Sequence, residues 1–420
     1  MKYDTIIIGG GLSGLVAGVK LASQNRKVAI VTSGQSALHF SSGSASLLSR
    51  NEQGEVITNP LEEMAKLPDS HPYKKIGTDR IAPLAHEAMK LLNSVGVKME
   101  GHVGHCRYRL TPMGMWEPTW MSLEELASCE HPSTCPWRKA AIVNFNGYLD
   151  FFPEYLADGL SRMGIKATCH VVTLPELARL RKSCSEMRAA SIAKVLRGEV
   201  LEALGAELLR VAGDADVILL PAVVGLKSNN EVQQLTDLVN KPVRFVPVIP
   251  MSVVGVRSEF MFRHRFEQLG GTYLLGDSVK KGLFQNGHLH AIHTVNLGEE
   301  TPLEADHFIL ATGSFFSQGL VAKPDTIEEP VFGLDVDQTA ERTERYSKNF
   351  FDAQPYMRFG VHTDSEFRVS LNGETIDNLR AVGAILSGAN PLKEGSGAGI
   401  AMLTALETAN RILSLSNNPS

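Results

Sequence analysis

Tyr3 to Ile8 is a short run of mostly apolar residues, and beyond the glycines that follow it apolar positions recur at helical spacing from Leu12 to Ser23. Val28 to Val31 then reads as a second buried strand. Strand, glycine turn, helix and strand make a βαβ unit, whose right-handed crossover sets both strands in one parallel sheet. Farther along, the pattern predicts a helix over Arg80 to Leu92, strands over Ala140 to Phe145 and Lys166 to Val172, and a helix over Asp150 to Met163 between them. Val217 to Leu220 and Val243 to Val248 are further strands. A helix over Phe260 to Leu269 leads through Gly270 and Gly271 into strands near Thr272 to Leu275, His288 to Val295 and His307 to Leu310. Leu379 to Val382 is the last strand, and Gly395, Gly397 and Gly399 open an apolar helix from Ile400 to Leu413.

The stretch from Pro112 to Trp137 departs from this alternation. It carries Pro112, Pro118, Pro132 and Pro136 together with Trp116, Trp120 and Trp137, and reads as irregular chain anchored by aromatic side chains, the packed core of a cap in preference to a substrate contact. The fold expected is α/β: a Rossmann-like βαβ domain built from both chain ends, residues 1–50 and 255–420, with an α/β cap inserted over 51–254.

Composition narrows the function. In 420 residues, 41 Lys and Arg face 46 Asp and Glu, a net charge of −5 with no basic block, which argues against nucleic acid as a partner. Cys106, Cys129, Cys135, Cys169 and Cys184 form no C-x2-C pair, so an iron–sulfur cluster or a structural zinc held by this chain is not expected, nor a disulfide framework. Reduced thiols in a cytosolic compartment are the simplest reading. The uncharged stretch Thr5 to Val19 is broken by glycines and is not read as a signal peptide, and no later apolar run reaches the about 18 residues of a membrane span.

Gly9-x-Gly11-x-x-Gly14 has the spacing of a phosphate-binding turn in the right context, with a strand before it and a helix after it. The first glycine permits the turn, the second lets a pyrophosphate approach, and the third lets helix and strand pack, with anionic oxygens at the helix N-terminus. About 20 residues on, where such folds place a ribose-binding acid, stands Thr32, whose hydroxyl lacks the strength of a carboxylate. A helix opening at Gly395, Gly397 and Gly399 would aim a second set of N–H groups and a positive dipole end at the same cleft.

Gly9-Gly10-Gly11-Leu12-Ser13-Gly14, Gly34 to Ser44 with its His39-Phe40-Ser41-Ser42-Gly43-Ser44, and Ala311-Thr312-Gly313-Ser314-Phe315-Phe316-Ser317 resemble the B subunits of anaerobic glycerol-3-phosphate dehydrogenases. The likeness continues through Arg109 to Gly114, Ser252 to Arg257 and Gly333 to Val336. It implies a flavoprotein subunit that joins a larger flavin-containing A subunit and a membrane-associated iron–sulfur C subunit at the cytoplasmic face of the inner membrane. Together they would oxidise sn-glycerol 3-phosphate to dihydroxyacetone phosphate and pass electrons through menaquinone to fumarate or nitrate. An assembly or electron-relay subunit of the same complex is the second reading. FMN is the implied cofactor and FAD the alternative. The absent acid at Thr32 agrees with FMN, which has no adenosine ribose; Ala384, after Gly383, stands where related FAD oxidoreductases carry a carboxylate for the ribityl chain.

That resemblance sets the candidate residues. Gly9, Gly11, Gly14, Thr32, Ser41, Ser42, Gly43, Ser44, Gly313, Gly383, Gly395, Gly397 and Gly399 are expected at the cofactor. His39 is the candidate base because imidazole titrates near neutrality, the alternative being a histidine that only hydrogen-bonds its loop. Arg257 is the cation expected near the chemistry, and Arg109, Thr111 and Arg257 are the candidates for the substrate, with a structural ion pair the alternative for each arginine.

Overall fold

The computed structural model describes residues 2–182 and 187–417. Its N-terminal apolar run is strand β1, Lys2–Ile8, followed by helix α1, Leu12–Ala22, and strand β2, Val28–Thr32. All five residues of β2 are buried, as a strand covered on both faces requires. Helix α2, Thr78–Ser94, comes next. Strands β3, Lys139–Phe145, and β4, Lys166–Val172, precede helix α3, Glu199–Ala212, strand β5, Val217–Pro221, helix α4, Asn230–Val239, and strand β6, Val243–Val246. These four strands form a parallel sheet in the order β4-β3-β5-β6.

The chain then returns to the first sheet. Helix α5, Val253–Gln268, leads to β7, Thr272–Leu275, β8, Val279–Gln285, β9, His288–Thr294, and β10, Gly298–Leu310. Strands β11, Arg368–Leu371, and β12, Glu374–Ala381, precede the final helix α6, Gly397–Asn417. The large sheet runs β7-β2-β1-β10-β9-β8, with β12 parallel to β10 on a branch and β11 antiparallel to β12. Strands β7, β2, β1 and β10 are mutually parallel, so their C-terminal ends open on one edge. Helices α1 and α6 pack on each other there, and α2, from the stretch read as cap, packs on α6.

Several elements differ from the pattern reading. Helix α5 begins well before Phe260, because the hydroxyl of Ser252 accepts the N–H of Gly255 at 3.0 Å and caps it. Helices α3 and α4 lie in stretches for which no element is predicted. The Pro112 to Trp137 segment is not irregular throughout: it contains the short strands Trp116–Thr119, Met121–Leu123 and Ser128–Cys129. Its tryptophans do pack inward, with Trp120 buried and the rings of Trp116 and Trp137 centred 6.1 Å apart. Cys106, Cys129, Cys135 and Cys169 are free thiols, and Cys184 lies outside the described residues. Among the described residues no helix is long and apolar enough to cross a membrane, and no group of three or more His, Cys, Asp or Glu could hold a metal ion.

Candidate functional site

At the C-terminal edge of the parallel strands lies a cleft of about 780 Å³. Its floor is the turn from Ile8 to Ser13, and the tightness of that turn follows from two glycines. A Cβ on Gly9, at φ +116°, would stand 2.2 Å from the Ala311 carbonyl oxygen, and a Cβ on Gly14 would stand 2.0 Å from the Gly9 carbonyl oxygen. Gly11 is different. A Cβ there would meet no protein atom within 4 Å, so internal packing gives no reason for a glycine; a group entering the cleft does. Gly11 is also the N-cap of α1 without a capping side chain, which leaves the first N–H groups of that helix available to an anion.

The opposite wall is the start of α6, where Gly397, Ala398 and Ala401 line the cleft beside Ala384. Two helix N-termini, one from each end of the chain, therefore face one space, and neither has an acidic residue in its first turn. A third side comes from Ala311 to Gly313 and Phe316 to Gln318. The Thr312 hydroxyl is buried there without a hydrogen-bond partner, as an atom awaiting a ligand would be. At the mouth, Phe40 and Phe316, both exposed, meet edge to face with centroids 5.2 Å apart. The remaining wall runs from Thr32 to Ser41 and across to Asp277, Ser278 and Val279; among the described residues Asp277 is the one ionisable side chain in the lining.

Of the residues named for the cofactor, Gly9, Gly11, Thr32, Ser41, Gly313 and Gly397 line this cleft. Thr32 donates its hydroxyl to the Gly34 carbonyl at 3.2 Å. Gly14 and Gly383 stand behind the lining: a Cβ on Gly383 would meet the Ser13 hydroxyl at 2.4 Å. Gly395 caps the short helix Pro391–Glu394 in a left-handed conformation, and Gly399 packs on Leu47 and Tyr73, so both serve the approach of the chain to α6. Gly43 packs on Leu123, Leu126 and Val254, with its N–H given to the Ser41 hydroxyl at 3.1 Å. Ser42 and Ser44 pair their hydroxyls at 2.9 Å, and Arg109 donates Nε to Ser44 at 2.9 Å. Burial lowers the pKa of Arg109, partly offset by Glu117. Its two terminal nitrogens donate no hydrogen bond among the described residues.

Three candidates are placed otherwise than expected. His39 is buried with its ring against α5, Nδ1 3.2 Å from the Gln35 amide oxygen and Nε2 3.7 Å from the Glu259 carboxylate, while its neighbours Leu38 and Phe40 line the cleft. The short 3-10 turn Ala37–Phe40 sets successive side chains about 120° apart, so that His39 turns away from the cleft that Ala37, Leu38 and Phe40 line. Arg257 is fully buried in an ion pair with Glu125 and donates to the carbonyls of Val224 and Gly225 at 3.2 and 2.9 Å; it does not reach the cleft. Thr111 closes a hairpin, its hydroxyl accepting the Met115 N–H at 3.1 Å. Sequence reasoning missed Asp277, whose only signal is its position just past a strand.

The FAD binding domain family matches residues 4–400. The B subunit of anaerobic glycerol-3-phosphate dehydrogenase from Yersinia enterocolitica is 41% identical over 419 residues, covering 99% of each chain, and that from Pectobacterium atrosepticum is 39% identical over 99% of this chain and all of the relative. The chain belongs to this family of dehydrogenase B subunits. It therefore carries a flavin-binding fold, and its family name makes it one subunit of several. Among solved structures, 3-ketosteroid delta1-dehydrogenase from Sterolibacterium denitrificans aligns over 98% of this chain and 99% of its own at 10% identity and a TM-score of 0.44, a distant likeness from which nothing further is taken.

Proposed function

We propose that this chain is the flavin-bearing B subunit of a quinone-linked dehydrogenase that oxidises sn-glycerol 3-phosphate to dihydroxyacetone phosphate. The observation that carries the reading is the convergence of two helix starts on one cleft, with Gly11 open toward it. The residues present fit a flavin. Backbone N–H groups from Gly11 to Ser13 would hold its phosphate, the Thr312 hydroxyl would find a partner, and the start of α6 would favour negative charge on the ring. A bound flavin supplies the hydride acceptor that oxidation of a secondary alcohol needs. Arg109, whose two terminal nitrogens donate no hydrogen bond among the described residues, lies beside the Ser42–Ser44 loop and is the cation we assign to the substrate phosphate.

The chain works with a larger flavin-containing A subunit and an iron–sulfur C subunit that holds it at the cytoplasmic face of the inner membrane, electrons leaving through menaquinone to fumarate or nitrate. The relatives' name and the exposed aromatic pair at the cleft mouth support partnership. The test is anaerobic mixing of the purified chain with glycerol 3-phosphate. Bleaching of the flavin absorbance by the chain alone supports catalysis here. Bleaching only after the A subunit is added overturns that and makes this chain a relay.

A further inference from the structure

None of the four cysteines among the described residues lines the cleft, and two of them meet elsewhere. Cys129 ends the strand Ser128–Cys129 and is held in place by pairing with Tyr108 on the strand Arg107–Leu110. Cys135 follows the 3-10 turn Pro132–Thr134, in which Thr134 donates its N–H to the His131 carbonyl at 3.0 Å and Cys135 its own to the Pro132 carbonyl at 3.3 Å. The turn brings the chain back so that the Cys129 thiol hydrogen-bonds the sulfur of Cys135, which also accepts the N–H of Trp137. Trp137 is itself buried, and Pro132 and Pro136 restrict the backbone around Cys135, so the approach of the two sulfurs is built into the fold. The pair is unequal in access: Cys129 is buried, whereas Cys135 is half-buried between the exposed Thr134 and Pro136. It is unequal in acidity too. The hydrogen bond from Cys129 lowers the pKa of Cys135, with burial opposing and the Trp137 N–H assisting, while the same bond and burial raise that of Cys129. Desolvation also raises those of Cys106 and Cys169. Cys135 is thus the thiol among the described residues that is drawn toward its reactive thiolate, and a second sulfur already touches it.

We propose that Cys129 and Cys135 are a thiol–disulfide exchange site, which closes reversibly to an intramolecular disulfide when it meets a small-molecule disulfide. The half-exposed Cys135 thiolate attacks one sulfur of that disulfide, whose S–S bond breaks and releases one thiolate. Cys129 then gives up its proton and attacks the Cys135 sulfur, and the second small thiolate leaves. Two protein thiols are oxidised to one disulfide, and the small disulfide is reduced to two thiols, which take up the two protons. Excess thiol reverses both steps. The site stands apart from the flavin cleft, on the ladder in which Ser128 opposes Arg109.

The full chain, reduced and freed of reductant under argon, is exposed to oxidised glutathione at neutral pH; free thiols are then blocked with iodoacetamide and the protein is digested with trypsin. Residues 110–138 form one tryptic peptide that carries both cysteines and no other. In the wild type this peptide should appear unalkylated, without glutathione and lighter than its dithiol form by two hydrogens, and dithiothreitol should restore the dithiol. In Cys129→Ser, glutathione should stay on Cys135. In Cys135→Ser, glutathione should reach Cys129 at least about tenfold more slowly than it reaches Cys135 in Cys129→Ser. A wild-type peptide that keeps glutathione on Cys135, is fully alkylated, or is linked to any other cysteine overturns the proposal. So does a Cys135→Ser protein whose Cys129 reacts as fast as Cys135 does. Should a serine variant not fold, the wild-type peptide alone decides.

Discussion

His39 turns its Nε2 to 3.7 Å from the carboxylate of Glu259 on α5, although the residues on either side of it line the cleft. An imidazole so placed ties the 37–40 turn to the helix that supports it. Replacing His39 with Ala should therefore cost about 1–2 kcal/mol of stability in a urea melt, from a lost polar contact and a small void. Flavin content and the rate of substrate-driven reduction should stay within about twofold, less than half a kcal/mol of barrier. A tenfold slower reduction with stability unchanged would return the imidazole to the chemistry.

Gly14 and Gly11 offer a contrast within one turn. Gly14→Ala drives a methyl group to 2.0 Å from the Gly9 carbonyl oxygen, a backbone atom that cannot swing aside as the end of a side chain could. The turn must open, at a cost of about 1–3 kcal/mol or more, on the order of other overpacked sites. Gly11→Ala meets no protein atom. It should fold with a melting temperature close to that of the wild type and yet lose most of its flavin, a separation read by comparing thermal melts with the ratio of flavin to protein absorbance. A Gly11→Ala protein that stays fully yellow would remove the phosphate from this turn.

The glycine turn was legible in the sequence because its parts are local: strand, turn and helix follow one another, and each glycine meets a constraint within its own βαβ unit. The apolar start of α6 was legible for the same reason, although which of its glycines faces the cleft was not, since Gly395 and Gly399 are set by contacts with Ser49, Leu47 and Tyr73 far back in the chain. Arg257 could be read both as a site cation and as an ion-pair partner, because an arginine in a site and an arginine in a buried pair look alike until Glu125 comes across to meet it. Asp277 was invisible because its neighbour is Thr32, across a strand pairing that local periodicity does not encode. Helices α3 and α4 went unseen although both carry clear apolar stripes, with Leu201, Leu204 and Leu208 on one and Val232, Leu235 and Val239 on the other.

The Arg257–Glu125 pair joins α5 to the loop before Ser128, and burial lowers the arginine's pKa against the opposing pull of Glu125. Removing one partner strands a charge. Arg257→Ala should lose about 3–5 kcal/mol in denaturant unfolding, whereas replacing both members with apolar residues of similar volume should recover most of that loss. Whatever fraction of Arg257→Ala folds should retain its flavin and its reduction rate, because the guanidinium does not line the cleft. A folded variant that binds flavin normally but is not reduced by substrate would contradict the structural assignment.

Acid should loosen the approach to α6 at one identifiable carboxylate. Glu394 is buried, and burial alone would push its pKa up, yet His71 at 3.2 Å, the Asn390 N–H at 2.9 Å and the Ser396 hydroxyl at 3.0 Å hold it below the usual carboxylate range. A folded-state pKa below the unfolded one contributes stability that is present above the unfolded value, about 4.3 for Glu, and is lost as pH falls through the folded value. Glu394→Gln should accordingly be less stable than the wild type at pH 7 by about 1.5–3 kcal/mol, and the gap should close as pH is lowered below about 4. Thermal melts of both proteins across that interval measure it. A gap that stays constant on acidification would show that shape, and not charge, is what Glu394 contributes where the chain turns into α6.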